Sequence, residues 1–94
     1  MTELDELRAE IDAIDEELVR VLARRFEVVT RVARYKARTG TPMMQSDRVL
    51  AVAERSEALA EAHGLDPAMV RRLFELLVEE TCTFEDRRIA EAAR

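Results

Sequence analysis

The sequence predicts an all-α protein with three helices per chain, one of them very long, that forms an intertwined homodimer. Apolar side chains recur every three or four residues over the first 35 positions, which is the spacing of one helix face. Helix breakers are scarce, with two glycines and two prolines in 94 residues. Strand signals are absent, since no segment alternates apolar and polar residues over a sustained stretch and no Asn-Gly or Asp-Gly turn occurs. This length predicts one domain, residues 1–94.

The first predicted helix runs from about Thr2 to Arg38 and contains no internal glycine or proline. Gly40 and Pro42 end it. Its apolar stripe consists of Leu4, Leu7, Ile11, Ile14, Leu18, Val21, Val28, Val32 and Tyr35.

Two shorter helices follow. The second is predicted from about Ser46, a plausible N-cap, to His63, with Gly64 as the stop. Asp66 and Pro67 then provide a capping carboxylate and a proline in the first turn, so the third helix is predicted from there to about Ala92.

The length of the first helix predicts the homodimer. About 36 helical residues span ~54 Å, whereas a compact monomer of this size has a radius of gyration of only ~12 Å. Two shorter helices cannot cover such a stripe, but a second copy can. The alternative is a monomeric three-helix bundle whose first helix is broken in the middle.

Composition narrows the possible functions. The net charge of -5 disfavours nucleic acid as a partner, although a local pocket can still be cationic. A single cysteine, Cys82, excludes a disulfide within the chain and a cysteine-based zinc site. No apolar run is long enough to span a bilayer, and the acidic, periodic start is unlike a signal peptide. We therefore expect a cytoplasmic protein without cofactor or metal.

Arg25 interrupts the apolar stripe between Val21 and Val28. A guanidinium at a core position is costly unless an anion pairs with it, and arginine does not lose its proton. Three interpretations stay open: a buried salt bridge, with Glu85 as the main candidate partner; a side chain that reaches out to solvent; or an arginine that binds an anionic ligand.

Other polar residues fall near Arg25 in the predicted bundle. Lys36 lies three turns further along the same face, and Arg8 could reach both from the other chain of an antiparallel dimer. Thr81 could instead hydrogen-bond back to its own helix. A pocket for a small dicarboxylate is predicted from Arg8, Arg25, Lys36, Gln45, Arg48, Thr81 and Glu85.

The chain resembles the all-helical chorismate mutases. The resemblance is carried by Leu7, Arg8, Ile11, Asp12, Ile14, Asp15, Leu18, Arg24, Arg25, Tyr35 and Lys36, and continues through Pro42, Asp47, Arg48, His63, Gly64, Leu65, Asp66, Arg72, Leu73 and Phe74. It implies an entwined dimer in which each pocket is built from both chains, and a cofactor-free [3,3] sigmatropic rearrangement.

The resemblance also implies roles for individual residues. Arg8 of one chain and Arg25 of the other would bind the two substrate carboxylates. Lys36 and Glu85 would bracket the ether oxygen of the breaking bond, where Glu85 acts either as a protonated acid or as a carboxylate for a C4 amino group. Arg48 and Thr81 also fall at pocket positions.

Two positions bear on the substrate. Family members that act on chorismate commonly carry an acidic residue at Gln45 and, at Val49, a glutamate that meets the C4 hydroxyl. The Asp-Arg-Val run resembles isochorismate-pyruvate lyases, and the segments around Gln45 and Thr81 resemble 4-amino-4-deoxychorismate mutases. We therefore predict a mutase acting on chorismate or its 4-amino analogue, with an isochorismate-pyruvate lyase or a non-catalytic helical dimerisation module as alternatives.

Overall fold

The computed structural model describes residues 2–42 and 46–92, which form three α-helices joined by short connections. Helix α1 spans Glu3–Thr39, α2 spans Ser46–Ala62 and α3 spans Pro67–Ala92. The predicted all-helical class is confirmed, and the predicted boundaries are correct to within about one residue. Every helix in these two ranges is too short or too polar to cross a membrane.

Local hydrogen bonds explain where the helices begin and end. Thr2 and Asp5 form a capping box at the start of α1, in which each side chain accepts a hydrogen bond from the other residue's backbone N–H. Gly40 ends α1 with a left-handed φ of 71°, which costs glycine little because it has no Cβ. The Asp66 carboxylate accepts a hydrogen bond from the backbone of Ala68 at 3.2 Å, which supports the predicted start of α3.

Helix α1 is continuous, so the broken first helix of the monomeric alternative is wrong. The chain extends 55 Å along its longest axis, and its radius of gyration of 16.8 Å exceeds the ~12 Å of a compact domain of this size. The C-terminal half of α1 buries Val29 and Ala33, whereas Ile11 and Ile14 in the N-terminal half are 57% and 60% exposed.

Helix α3 packs against both other helices. Its Phe84 ring meets Phe26 of α1 edge-to-face, with ring centroids 5.0 Å apart. Near the other end, an ion pair between Arg71 and Glu57 joins α3 to α2. Residues of all three helices line a cavity, and the candidate site lies there.

Candidate functional site

The cavity has a volume of about 380 Å³ and lies where all three helices meet. It brings together six of the eight predicted site residues: Arg25 and Lys36 from α1, Arg48 and Val49 from α2, and Thr81 and Glu85 from α3. Arg25 and Lys36 share this cavity because eleven residues make three helical turns. Arg48 reaches it from the first turn of α2.

The other two predicted residues are not in this cavity. Arg8 is exposed on α1, and the seventeen residues that separate it from Arg25 correspond to about 25 Å of helix. Within one chain Arg8 therefore cannot reach the site. Gln45 lies outside the described residues.

Arg25 is held by a hydroxyl. Its Nη1 donates to Thr81 Oγ1 at 2.6 Å, and the Thr81 hydroxyl in turn donates to the carbonyl oxygen of Leu77 at 2.7 Å. Thr81 thus forms the hydrogen bond to its own helix that was the alternative to a pocket role, and it also contacts Arg25 in the cavity. The half-buried Arg25 side chain turns inward to Thr81, so the solvent-reaching interpretation is wrong. In the part of the chain that the structure describes, Arg25 forms no ion pair.

Glu85 pairs with Lys36, so the proposed Arg25–Glu85 salt bridge is wrong. Lys36 Nζ lies 2.8 Å from Glu85 Oε1, and the two side chains are only 13% and 7% exposed. Glu85 lies one turn beyond Thr81 on α3, and the way α1 crosses α3 brings it to Lys36 while Thr81 meets Arg25. This buried, hydrogen-bonded ion pair holds both side chains in the wall of the cavity.

The cavity carries a surplus of positive charge. Three cations, Arg25, Lys36 and Arg48, line it against one carboxylate, Glu85. Burial lowers the pKa of Arg25, and the positive charges of Arg48 and Arg55 lower it further, while Glu85 acts in the opposite direction. Because the charged form of Arg25 is destabilised in this setting, an anion entering the cavity would be favoured.

The rest of the cavity wall is apolar. It consists of Val28, Val29, Val32, Val49, Val52, Val78 and Cys82. Cys82 was not among the predicted site residues, although its position next to Thr81 and one turn after Val78 places it on the same side of α3. Val49 contributes an aliphatic side chain to this wall. The site thus combines a cationic end with an apolar wall, which suits a small carbocyclic dicarboxylate.

A second, larger cavity of about 570 Å³ lies between α2 and α3 and shares Val49, Val78 and Cys82 with the first. The charged residues that line this second cavity are all carboxylates: Glu75, Glu79 and Asp86. No described basic residue lines it. An anionic ligand is therefore favoured in the smaller, cationic cavity.

Comparison with known proteins gives one consistent result. The family model described as chorismate mutase type II matches residues 7–86. A 4-amino-4-deoxychorismate mutase of Streptomyces venezuelae is 44% identical over 84 residues, covering 89% of this chain and 82% of that protein. A 4-amino-4-deoxychorismate mutase of Streptomyces pristinaespiralis is 39% identical over 87 residues, covering 93% and 67%.

A more distant relative is the bifunctional chorismate mutase/prephenate dehydratase of Escherichia coli K12. It is 37% identical over 75 residues, covering 80% of this chain but only 19% of that protein. The similarity is thus confined to a small part of the bifunctional enzyme.

Proposed function

Because this chain belongs to the chorismate mutase type II family, and is an isomerase of that family, we propose that it converts 4-amino-4-deoxychorismate to the 4-amino analogue of prephenate. The structural observation that carries this proposal is the pairing of Arg25 with a hydroxyl in a cavity that also holds Lys36 and Arg48. The substrate is assigned from the two Streptomyces relatives.

The two alternatives from the sequence fare differently. A non-catalytic dimerisation module is excluded by membership of an enzyme family. The isochorismate-pyruvate lyase has no support, since the relatives described above carry mutase names. Chorismate stays the second candidate substrate, because the Escherichia coli relative is a chorismate mutase.

The rearrangement requires the enzyme mainly to position the substrate. In a [3,3] rearrangement one ether C–O bond breaks while one C–C bond forms within the same molecule, so no atom is gained or lost. The enzyme must hold the substrate in a compact chair-like conformer and compensate the negative charge that grows on the ether oxygen. Arg25, oriented by Thr81, binds one carboxylate through its planar fork, and Lys36 donates a hydrogen bond to the ether oxygen.

We propose that a second chain supplies the contact to the second carboxylate. We propose a homodimer in which the long α1 helices pack together and Arg8 of the partner chain completes each cavity. The observation that supports this is the N-terminal half of α1, whose apolar residues are about half exposed although they are spaced as a packing face. A contiguous apolar face of this length is typical of a protein–protein interface.

Val49 supports the 4-amino substrate over chorismate. With valine in this wall, the cavity lacks the carboxylate that a C4 hydroxyl meets in chorismate-directed relatives. The glutamate that would meet the C4 hydroxyl of chorismate is therefore absent from this cavity, and we expect chorismate to be the poorer substrate.

Parallel assays test the proposal. Purified protein is incubated separately with 4-amino-4-deoxychorismate and with chorismate, and product formation is followed by chromatography and mass spectrometry. We expect a higher kcat/KM for the 4-amino substrate, with the Arg25→Ala variant as the control for uncatalysed rearrangement. A preference for chorismate would contradict the substrate assignment, and no acceleration of either compound would contradict the function.

A further inference from the structure

We propose that Glu85 selects the 4-amino substrate by accepting a hydrogen bond from its C4 ammonium group, while Lys36 binds the ether oxygen. This inference rests on the proposed function and adds the residue that determines specificity. It starts from a buried carboxylate inside an otherwise cationic and apolar cavity.

The Lys36–Glu85 pair provides two adjacent points of contact. Lys36 Nζ contacts Glu85 Oε1 at 2.8 Å. An ammonium group has three donors, so Lys36 can keep this bond and still donate to a substrate oxygen. A carboxylate has two oxygens and about four acceptor positions, so Glu85 can keep Lys36 and still accept from a substrate donor.

The substrate presents a matching pair of groups. Its ether oxygen and its C4 substituent are attached to neighbouring ring carbons. When Lys36 binds the ether oxygen, its partner Glu85 lies beside the next ring carbon along. Lys36 then contacts the ether oxygen, Glu85 contacts the C4 ammonium group, and the two side chains keep their contact with each other. Both side chains are needed to bind both substrate groups.

Charge distinguishes an amine from a hydroxyl at this position. An aliphatic amine is protonated at neutral pH, so the 4-amino group brings a positive charge to Glu85. A hydroxyl donates only a neutral hydrogen bond and leaves more of the Glu85 charge uncompensated near an ether oxygen that becomes negative. The same carboxylate should therefore favour the 4-amino substrate over chorismate.

The other described residues that line the site offer no second carboxylate for the C4 ammonium group. Val49 is aliphatic, and the other carboxylates of this part of α3 lie outside the site. Glu79 and Asp86 line the neighbouring cavity, and Glu80 lines a separate pocket beside Phe84. Among the described residues that line the site, Glu85 is the one carboxylate. No other acidic side chain of this set can meet a C4 ammonium group.

Steady-state kinetics of Glu85→Gln on both substrates test the inference. Glutamine keeps the size of the side chain and removes its charge. We expect kcat/KM for 4-amino-4-deoxychorismate to fall about tenfold or more, since a charge-assisted hydrogen bond is replaced by a neutral one. On chorismate the loss should be much smaller, so the ratio of the two kcat/KM values should fall. Glu79→Gln is the matched control, because it removes an exposed charge from the same helix outside the site.

The outcomes are separable. An equal loss on both substrates would mean that Glu85 only positions Lys36, and the inference would be overturned. A wild-type protein inactive on the 4-amino compound would overturn the proposed function itself. If Glu85→Gln proves unstable, Glu85→Asp keeps the charge at a shorter reach; it should keep the preference for the 4-amino substrate, and loss of that preference would count against the inference.

Discussion

Arg25 is a half-buried cation whose hydrogen-bond partner is neutral. Its guanidinium is half buried and donates to the Thr81 hydroxyl, which already has a second partner in the Leu77 carbonyl. Stability is therefore not the reason for this arginine, because a hydroxyl compensates a buried cation less well than a carboxylate does. A substrate carboxylate would supply the missing charge.

Arg25→Ala should abolish most of the activity while the protein stays folded. Thr81 keeps its bond to Leu77, so the substitution strands no polar group. Removal of one charged donor to the transition state costs about 100-fold or more in rate. The measurement is kcat/KM together with the thermal midpoint, and Arg24→Ala, an exposed neighbour, is the control. A variant that unfolds would point to a structural role instead.

Unlike Arg25, the Lys36–Glu85 ion pair should contribute to the stability of the fold. Lys36→Met leaves a buried carboxylate without this partner, which costs about 3–5 kcal/mol of unfolding free energy. The double variant Lys36→Met/Glu85→Met should regain most of that loss, because no buried charge is left unpaired. Urea unfolding of both variants at one protein concentration measures the difference. A double variant as unstable as the single one would contradict this account.

At the scale of the helices, the sequence was sufficient for the boundaries. Helix ends are set by interactions over a few residues, so they can be predicted without tertiary structure. The residues that act in this way here are Thr2, Gly40, Gly64 and Asp66. The partner of the buried Arg25 could not be predicted from the sequence. Glu85 and Thr81 lie one turn apart on α3, and only the crossing of α1 over α3 decides which of them meets Arg25.

The end of α1 allows a test at this scale. Gly40 has a φ of 71° with open space around the position of a Cβ, so a substitution there suffers backbone strain without a clash. Gly40→Ala should lower the unfolding free energy by about 1–2 kcal/mol, and Gly40→Asn by less, since asparagine adopts this conformation more readily. Urea unfolding at a fixed protein concentration measures both. Equal losses for the two variants would argue against strain as the cause.

At the scale of the whole molecule, the site of one chain lacks one of its predicted residues. Six predicted residues meet in one cavity, but Arg8 lies on the part of α1 that extends away from the other helices. The sequence could suggest this separation, because the helix is too long for a compact monomer. It could not show which face of a partner would receive Arg8, since that depends on how two copies pack.

Subunit mixing tests the shared site. If Arg8 acts on the partner's cavity, a dimer of one Arg8→Ala chain and one Arg25→Ala chain contains one cavity with both lesions and one with neither. Random exchange makes half of the dimers mixed, so about a quarter of the wild-type activity should return. Each variant alone should be nearly inactive.

A second mixture is the matched control. Arg25 and Lys36 line the same cavity from the same helix, so a dimer of one Arg25→Ala chain and one Lys36→Met chain has a lesion in each cavity. This mixture should regain no activity, even when mass spectrometry of the intact complexes confirms that subunits have exchanged. Recovery in the first mixture and not in the second requires Arg8 to act across the dimer. Recovery in neither would place the second carboxylate contact within a single chain, where Arg8 cannot reach.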